Sequence, residues 1–167
     1  MPRALFCVLG TGYSVLLSAA DPDPRSLAVP PADRVRAANL VADLGSPAFE
    51  ARDDATAALR GMGRRALPAL AAAAAAPDPE VRMRAGRLLP AARSDDFAAR
   101  LECFLTDADA KFDHDLPGWA AYRAAVGDGR TPRAFFAAVL GTPENRAVVG
   151  AMAGDRADLN RALDARQ

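Results

Sequence analysis

The chain has 167 residues; 51% are hydrophobic and only 6% aromatic, and 21 Lys and Arg balance 21 Asp and Glu. That length suits one domain with a real core, which must be built largely from Ala, Leu and Val. A neutral chain lacks the basic face that nucleic acid requires, so no nucleic-acid partner is expected.

The N-terminus has the pattern of an export signal. Met1-Pro2-Arg3 is a short cationic start, residues 4–17 are mostly apolar, and Ser18-Ala19-Ala20 places small residues where a signal peptidase cuts. Residues 1–20 are therefore predicted to be a signal peptide cleaved after Ala20, placing the mature protein in the periplasm or outside the cell. The alternative is an uncleaved anchor, although a spanning helix needs about 20 apolar residues and this stretch is broken by Gly10 and Gly12. Phe6 stands where a lipoprotein signal needs a small residue before Cys7. The mature chain keeps only Cys103, which excludes an internal disulfide and reads as a buried small hydrophobe.

Residues 21–32 hold Pro22, Pro24, Pro30 and Pro31 among Asp, Ser and Ala and are predicted to be an extended, disordered linker. Helical signals follow. Asp33 is placed to cap a helix over 33–44, and Gly45 stops it. Ser46-Pro47 opens the next, with Phe49, Ala55, Ala58, Leu59 and Met62 at helical spacing before Gly61 and Gly63. A helix over 64–76 carries Pro68 in its first turn and runs through six alanines. Asp78-Pro79-Glu80 then opens another, with Val81, Ala85, Leu88 and Leu89 as its inward stripe.

Two of these segments repeat at an offset of 30 residues. Pro47, Glu50, Arg52, Ala55 and Leu59 correspond to Pro77, Glu80, Arg82, Ala85 and Leu89. A helical repeat of about 30 residues is the mark of a stacked-helix solenoid. Ala66-Leu67-Pro68-Ala69-Leu70 followed by Asp78, Pro79, Glu80, Val81, Arg82, Ala85 and Leu89 resembles a HEAT-type repeat, of the short kind found in phycocyanobilin-lyase-like proteins. The resemblance implies paired helices over 33–92, with Arg52 and Arg82 as stacking residues and Leu59 and Leu89 as equivalent core positions. It implies no activity.

A C-terminal helical subdomain is predicted over 93–167. Pro90 is expected to interrupt the preceding helix and Ser94 to cap a new one over 95–105, with Leu101, Phe104 and Leu105 on its buried side. An acidic connector over 106–116 follows. It carries Asp107, Asp109, Asp113, Asp115 and the single histidine, His114. As a calcium loop it fails: Lys111, Phe112 and Gly118 occupy the fifth, sixth and twelfth places, where such a loop wants an oxygen ligand, Gly and Glu. One His without Cys partners argues against zinc. The four aspartates are the only candidate metal ligands, and a solvated connector is the default.

Leu116-Pro117-Gly118-Trp119 starts a helix ended by Gly127, Thr131-Pro132 and Thr142-Pro143 open two more, and a last helix spans 159–165. Trp119, Phe135 and Phe136 are predicted to form the aromatic anchor of this subdomain. The Leu-Pro-Gly-Trp string, a Val-Gly-Asp turn and a Phe-rich helix after a HEAT-like pair are together similar to a group of exported bacterial proteins without an assigned activity. The expected fold is thus all-α: a short HEAT-like helical-pair solenoid followed by a compact helical cap.

No phosphate-binding glycine loop, nucleophile-elbow sequence or Cys–His pairing is present, so the chain reads as not an enzyme and as needing no cofactor. The expected function is a non-catalytic protein-interaction or scaffold module outside the cytoplasm, with an unknown protein partner and no membrane contact for the mature chain. The alternative is a small-ligand or metal-binding carrier using the acidic connector and the Trp119 region.

Overall fold

The computed structural model describes residues 21–152 and Asp164. The expected signal peptide and, apart from Asp164, the expected helix over 159–165 lie outside the described residues. All regular structure among the described residues is helical: α1 (Pro31–Asp43), α2 (Phe49–Met62), α3 (Leu67–Ala73), α4 (Pro79–Thr106), α5 (Trp119–Val126), α6 (Arg130–Leu140) and α7 (Pro143–Met152).

The N-terminal half packs α1, α2, α3 and the first turns of α4 around one core of small aliphatic residues, including Ala37, Leu44, Ala55, Leu59, Leu70, Ala85 and Leu88. The 30-residue offset reappears as geometry. Arg52 Nη1 donates to the carbonyls of Ser46 at 2.7 Å and Pro47 at 3.0 Å. Arg82 Nη1 donates to the carbonyls of Ala76 at 2.6 Å and Pro77 at 3.1 Å, the same two places 30 residues on. Each guanidinium thus folds back onto the turn that precedes its own helix. Leu59 and Leu89, and Ala55 and Ala85, are buried in matching positions. Glu80 joins the two segments: it lies 3.6 Å from Arg52 Nε and accepts from Arg84 Nε at 2.6 Å, while Arg84 reaches back to Asp53 on α2 at 3.0 Å.

Several local expectations are corrected. Residues 21–32 are not an extended linker. Asp23 caps a 3-10 turn over Pro24–Leu27, and two side chains from the body of the fold hold the segment down. Arg64 Nη1 donates to the Leu27 carbonyl at 2.6 Å, and the Cys103 thiol donates to the Pro22 carbonyl at 3.2 Å. Helix α1 begins at Pro31 rather than behind Asp33, since proline suits a first turn whose N–H groups are unpaired anyway; Asp33 instead meets Arg65 at 3.2 Å. The alanine run leaves the helix after Ala73, because the chain must turn into the Pro77-Asp78 cap.

Pro90 does not interrupt its helix, and Ser94 caps nothing. Helix α4 runs unbroken for 28 residues, about 42 Å at 1.5 Å per residue. Leu88 and Leu89 before the proline and Ala92 after it are all buried, so packing on both sides holds the helix through a residue that cannot donate to the carbonyl four places back. The buried face then changes. Val81, Ala85, Leu88 and Ala92 form one stripe, whereas Phe97, Leu101 and Phe104 lie roughly 155° further round at 100° per residue. Helix α4 is therefore the shared spine of two cores. Leu105, expected on the buried side, is about half exposed, because the second stripe passes through Phe104.

The second core gathers Phe104, Leu116, Trp119, Phe136, Ala137 and Leu140. The Phe104 and Trp119 rings meet edge to face at 4.8 Å, and Trp119 lies 5.1 Å from Phe136. Phe135 is not part of this anchor. It precedes Phe136 by one residue, so it stands 100° away around α6, and it is 60% exposed.

If burial alone carries α4 through Pro90, restoring the missing N–H relieves a cost. Pro90→Ala is expected to raise the unfolding free energy by about 1–3 kcal/mol, read by chemical denaturation. An unchanged or lower value would show that Pro90 itself contributes to the stability of α4.

Candidate functional site

The acidic connector is folded around one of its own carboxylates. Asp107 follows the last residue of α4 and is 2% exposed. Its Oδ1 accepts the backbone N–H of Lys111 at 2.9 Å; its Oδ2 accepts the N–H of Phe112 at 3.0 Å and faces His114 Nε2 at 3.0 Å. A left-handed residue is needed to swing those amides inward, and Ala110, with φ of 53°, supplies it. Among the described residues it is the only non-glycine with positive φ.

Arg133 closes the cluster from α6. Its side chain is 3% exposed. Nη1 donates to Asp128 at 2.7 Å, and Nη2 donates to the Phe104 carbonyl at 2.8 Å and lies 3.5 Å from Asp107 Oδ2. The guanidinium also lies over the Phe104 ring, 4.1 Å from its centroid. His114 meets the same ring edge to face at 5.4 Å. Each buried charge is thus partnered, which is the condition under which ions are tolerated inside a protein.

Burial alone would push the Asp107 carboxyl up. The N–H groups of Lys111 and Phe112, then His114 and Arg133, outweigh that and hold it below the usual carboxylate range. Asp107 is therefore an ionised acceptor, and the hydrogen on His114 lies on Nε2, pointing at it. The ring's other nitrogen, Nδ1, has no described hydrogen-bond partner.

His114 and Cys103 both line a cleft of about 260 Å³ between residues 24–28 and α4. Cys103 is a poor nucleophile there. Burial, and then the negative charges of Asp21, Asp107 and Asp23, push its thiol up, and its hydrogen is given to the Pro22 carbonyl.

The four aspartates singled out in the sequence do not converge. Asp107 is buried and its lone pairs are used. Asp109 is exposed beside Lys111 at 2.9 Å, Asp113 is exposed beside Arg123 at 3.1 Å, and Asp115 lies on the rim of the cleft. Among the described residues no three His, Cys, Asp or Glu side chains are disposed to hold a metal ion. Sequence reasoning passed over Arg133, although a signal was present. Arg133, Phe136, Ala137 and Leu140 follow the i, i+3, i+4, i+7 rule, so the arginine stands in the buried stripe of α6.

A second surface feature borders the aromatic core at Phe136. Gly118, Tyr122, Phe135, Phe136, Val139 and Val149, from α5, α6 and α7, line an apolar groove of about 440 Å³. Phe135 stacks on Tyr122, 6.5 Å between centroids with planes 18° apart, and forms one wall of the groove. Gly118, with φ of 77°, brings α5 against Val149 where a side chain would collide.

Comparison of the chain with models of protein families, with curated proteins and with solved structures finds no match.

The sign of the Asp107 contribution to stability follows from its lowered folded-state value. The unfolded chain binds this proton more tightly, so stability rises with pH through the carboxylate range. The contribution is fully present above the ordinary Asp value near 3.9 and is lost as pH falls through the lower folded value. Asp107→Asn removes the charge and leaves Arg133 underpaired. It is expected to cost about 3–5 kcal/mol at neutral pH and to flatten the acid limb of a stability–pH curve followed by circular dichroism. A variant that loses stability on acidification as steeply as the parent would rule this carboxylate out as the source.

Proposed function

We propose that the chain is a non-catalytic protein-interaction module that acts outside the cytoplasm, a short HEAT-like solenoid carrying a helical cap. The observation that carries this reading is the apolar groove on the cap. Phe135, a large aromatic, is 60% exposed at its edge while smaller side chains nearby are buried. An apolar groove between helices, walled by aromatics, suits the apolar face of a partner's helix or peptide. The matching Arg52 and Arg82 geometry supports the repeat reading of the N-terminal half, and the pattern of residues 1–20 supports export.

Against catalysis stand the commitments of the reactive groups: the thiol of Cys103 is neutral, and Asp107 and Arg133 are occupied by each other and by backbone. No described helix is long and apolar enough to cross a membrane.

The test separates binding from folding. Phe135→Ser is expected to change the unfolding free energy by less than about 0.5 kcal/mol, as for an exposed site. A photo-crosslinking amino acid placed at Val139 should give one discrete protein adduct in the exported fraction, lost when Phe135→Ser is added. A large loss of stability would make Phe135 a structural residue, and adduct formation unchanged by Phe135→Ser would remove the groove as the docking surface.

A further inference from the structure

The polar joint between α2 and α4 has two halves. Arg52, Asp53 and Thr56 stand on α2; Glu80 and Arg84 meet them from α4. The 30-residue offset carries each half to a place where nothing covers it. Thirty residues after the α2 set stand Arg82, Met83 and Gly86 on α4, all exposed. Thirty residues before the α4 set stand Glu50 and Asp54 on α2, both exposed and in no ion pair among the described residues. At 100° per residue they lie roughly 130° round α2 from the set that meets α4.

Arg82 shows what the outer face of α4 lacks. Its Nη1 donates to the Ala76 and Pro77 carbonyls, as that of Arg52 does to Ser46 and Pro47. Arg52 has Glu80 beside it, 3.6 Å from an Nε that is sealed from solvent. Arg82 has no carboxylate partner among the described residues, and the residue 30 places beyond Glu80 is Ala110, in the connector. The surroundings of Arg82 are unlike a solvated end, which in stacked helices is polar. Pro79, Met83, Gly86 and Pro90 fall within about 60° of one another round α4, and all four are exposed and uncharged. A Cβ on Gly86 would meet nothing within 4 Å, so a helix has room to approach. The cap leaves this stretch clear: Arg133 of α6 meets α4 at the Phe104 carbonyl, about four turns beyond Pro90. One face is thus acidic and the other cationic with an uncharged strip, so each complements the other rather than itself.

We propose that the outer face of α2 in one molecule docks on the outer face of α4 in a second copy of the chain, with Glu50 at Arg82 where Glu80 stands at Arg52. The inference rests on the repeat reading of the N-terminal half and not on the apolar groove. Asp54 then lies over Met83 and Gly86, as Arg84 lies over Asp53 and Thr56. The contact joins unlike faces, so it builds a head-to-tail row rather than a closed pair.

Sedimentation velocity of the full chain, from about 10 μM to about 1 mM, tests this. The mean mass should rise with concentration and fall back as salt is added. Glu50→Arg sets a cation against Arg82 and should weaken association at least about tenfold. Gly86→Glu, at a position with room for a side chain, should do the same from the other face with the fold intact by circular dichroism. Phe135→Ser should change nothing. The double variant Asp54→Arg/Met83→Asp rebuilds the Arg84–Asp53 pair between molecules and should associate about tenfold more tightly than either single variant. A parent chain that stays monomeric while the double variant associates overturns the proposal and leaves the repeat geometry standing. If neither associates, the repeat reading falls with it. Association undiminished by Glu50→Arg, or lost in Phe135→Ser, puts the contact elsewhere and likewise overturns the proposal.

Discussion

The C-terminal half of this protein depends on one buried carboxylate. Asp107 sits where the long helix α4 ends, and everything that follows is arranged around it. It gathers the amides of Lys111 and Phe112, orients His114 and faces Arg133. Without those donors a carboxylate in this position would be expelled to solvent or protonated. With them, a nine-residue acidic stretch becomes a fixed loop, and α6 is tied through Arg133 to both the loop and the carbonyl end of α4. The aromatic core then has a defined lid: Phe104 lies between Trp119, Phe136, His114 and the Arg133 guanidinium.

Helix α4 transmits this arrangement to the rest of the molecule. Its first half completes the alanine- and leucine-rich core, and its second half turns a different face to the aromatics. The two cores differ in how they are held. The first relies on close approach of small side chains and on arginines that clamp helix-end carbonyls. The second relies on a few large rings and a partnered pair of buried ions. The Cys103 thiol returns to the first stripe of α4 and holds residues 21–28 against it, which is how a proline-rich segment comes to wall a cleft.

What the sequence revealed tracks how local each interaction is. The equivalence of Arg52 and Arg82 was legible because each reaches carbonyls only five and six residues away. The helix starts at Pro79 and Pro143 were legible for the same reason. The order of residues 21–28 was not, since its ties come from Arg64 and Cys103, 37 and 81 residues distant. Pro90 misled because a local rule against proline in helices was overridden by burial on both sides. Phe135 misled because it adjoins Phe136, and neighbours on a helix face different ways. The connector misled most: charge counting treats four aspartates alike, whereas Asp107 alone is capped by its own following backbone. Arg133 in an apolar stripe was the one sign in the sequence that a buried anion had to exist.

The most direct measurement is native-state amide hydrogen exchange at Lys111 and Phe112. Both lie outside any helix, and their described hydrogen-bond acceptor is the Asp107 carboxylate. If that carboxylate organises the cap, both amides should be protected, and should open with the same free energy as the Trp119 amide, which donates to the Leu116 carbonyl within the core. Exchange of Lys111 and Phe112 at the rate of an open loop, with Trp119 still protected, would contradict the account.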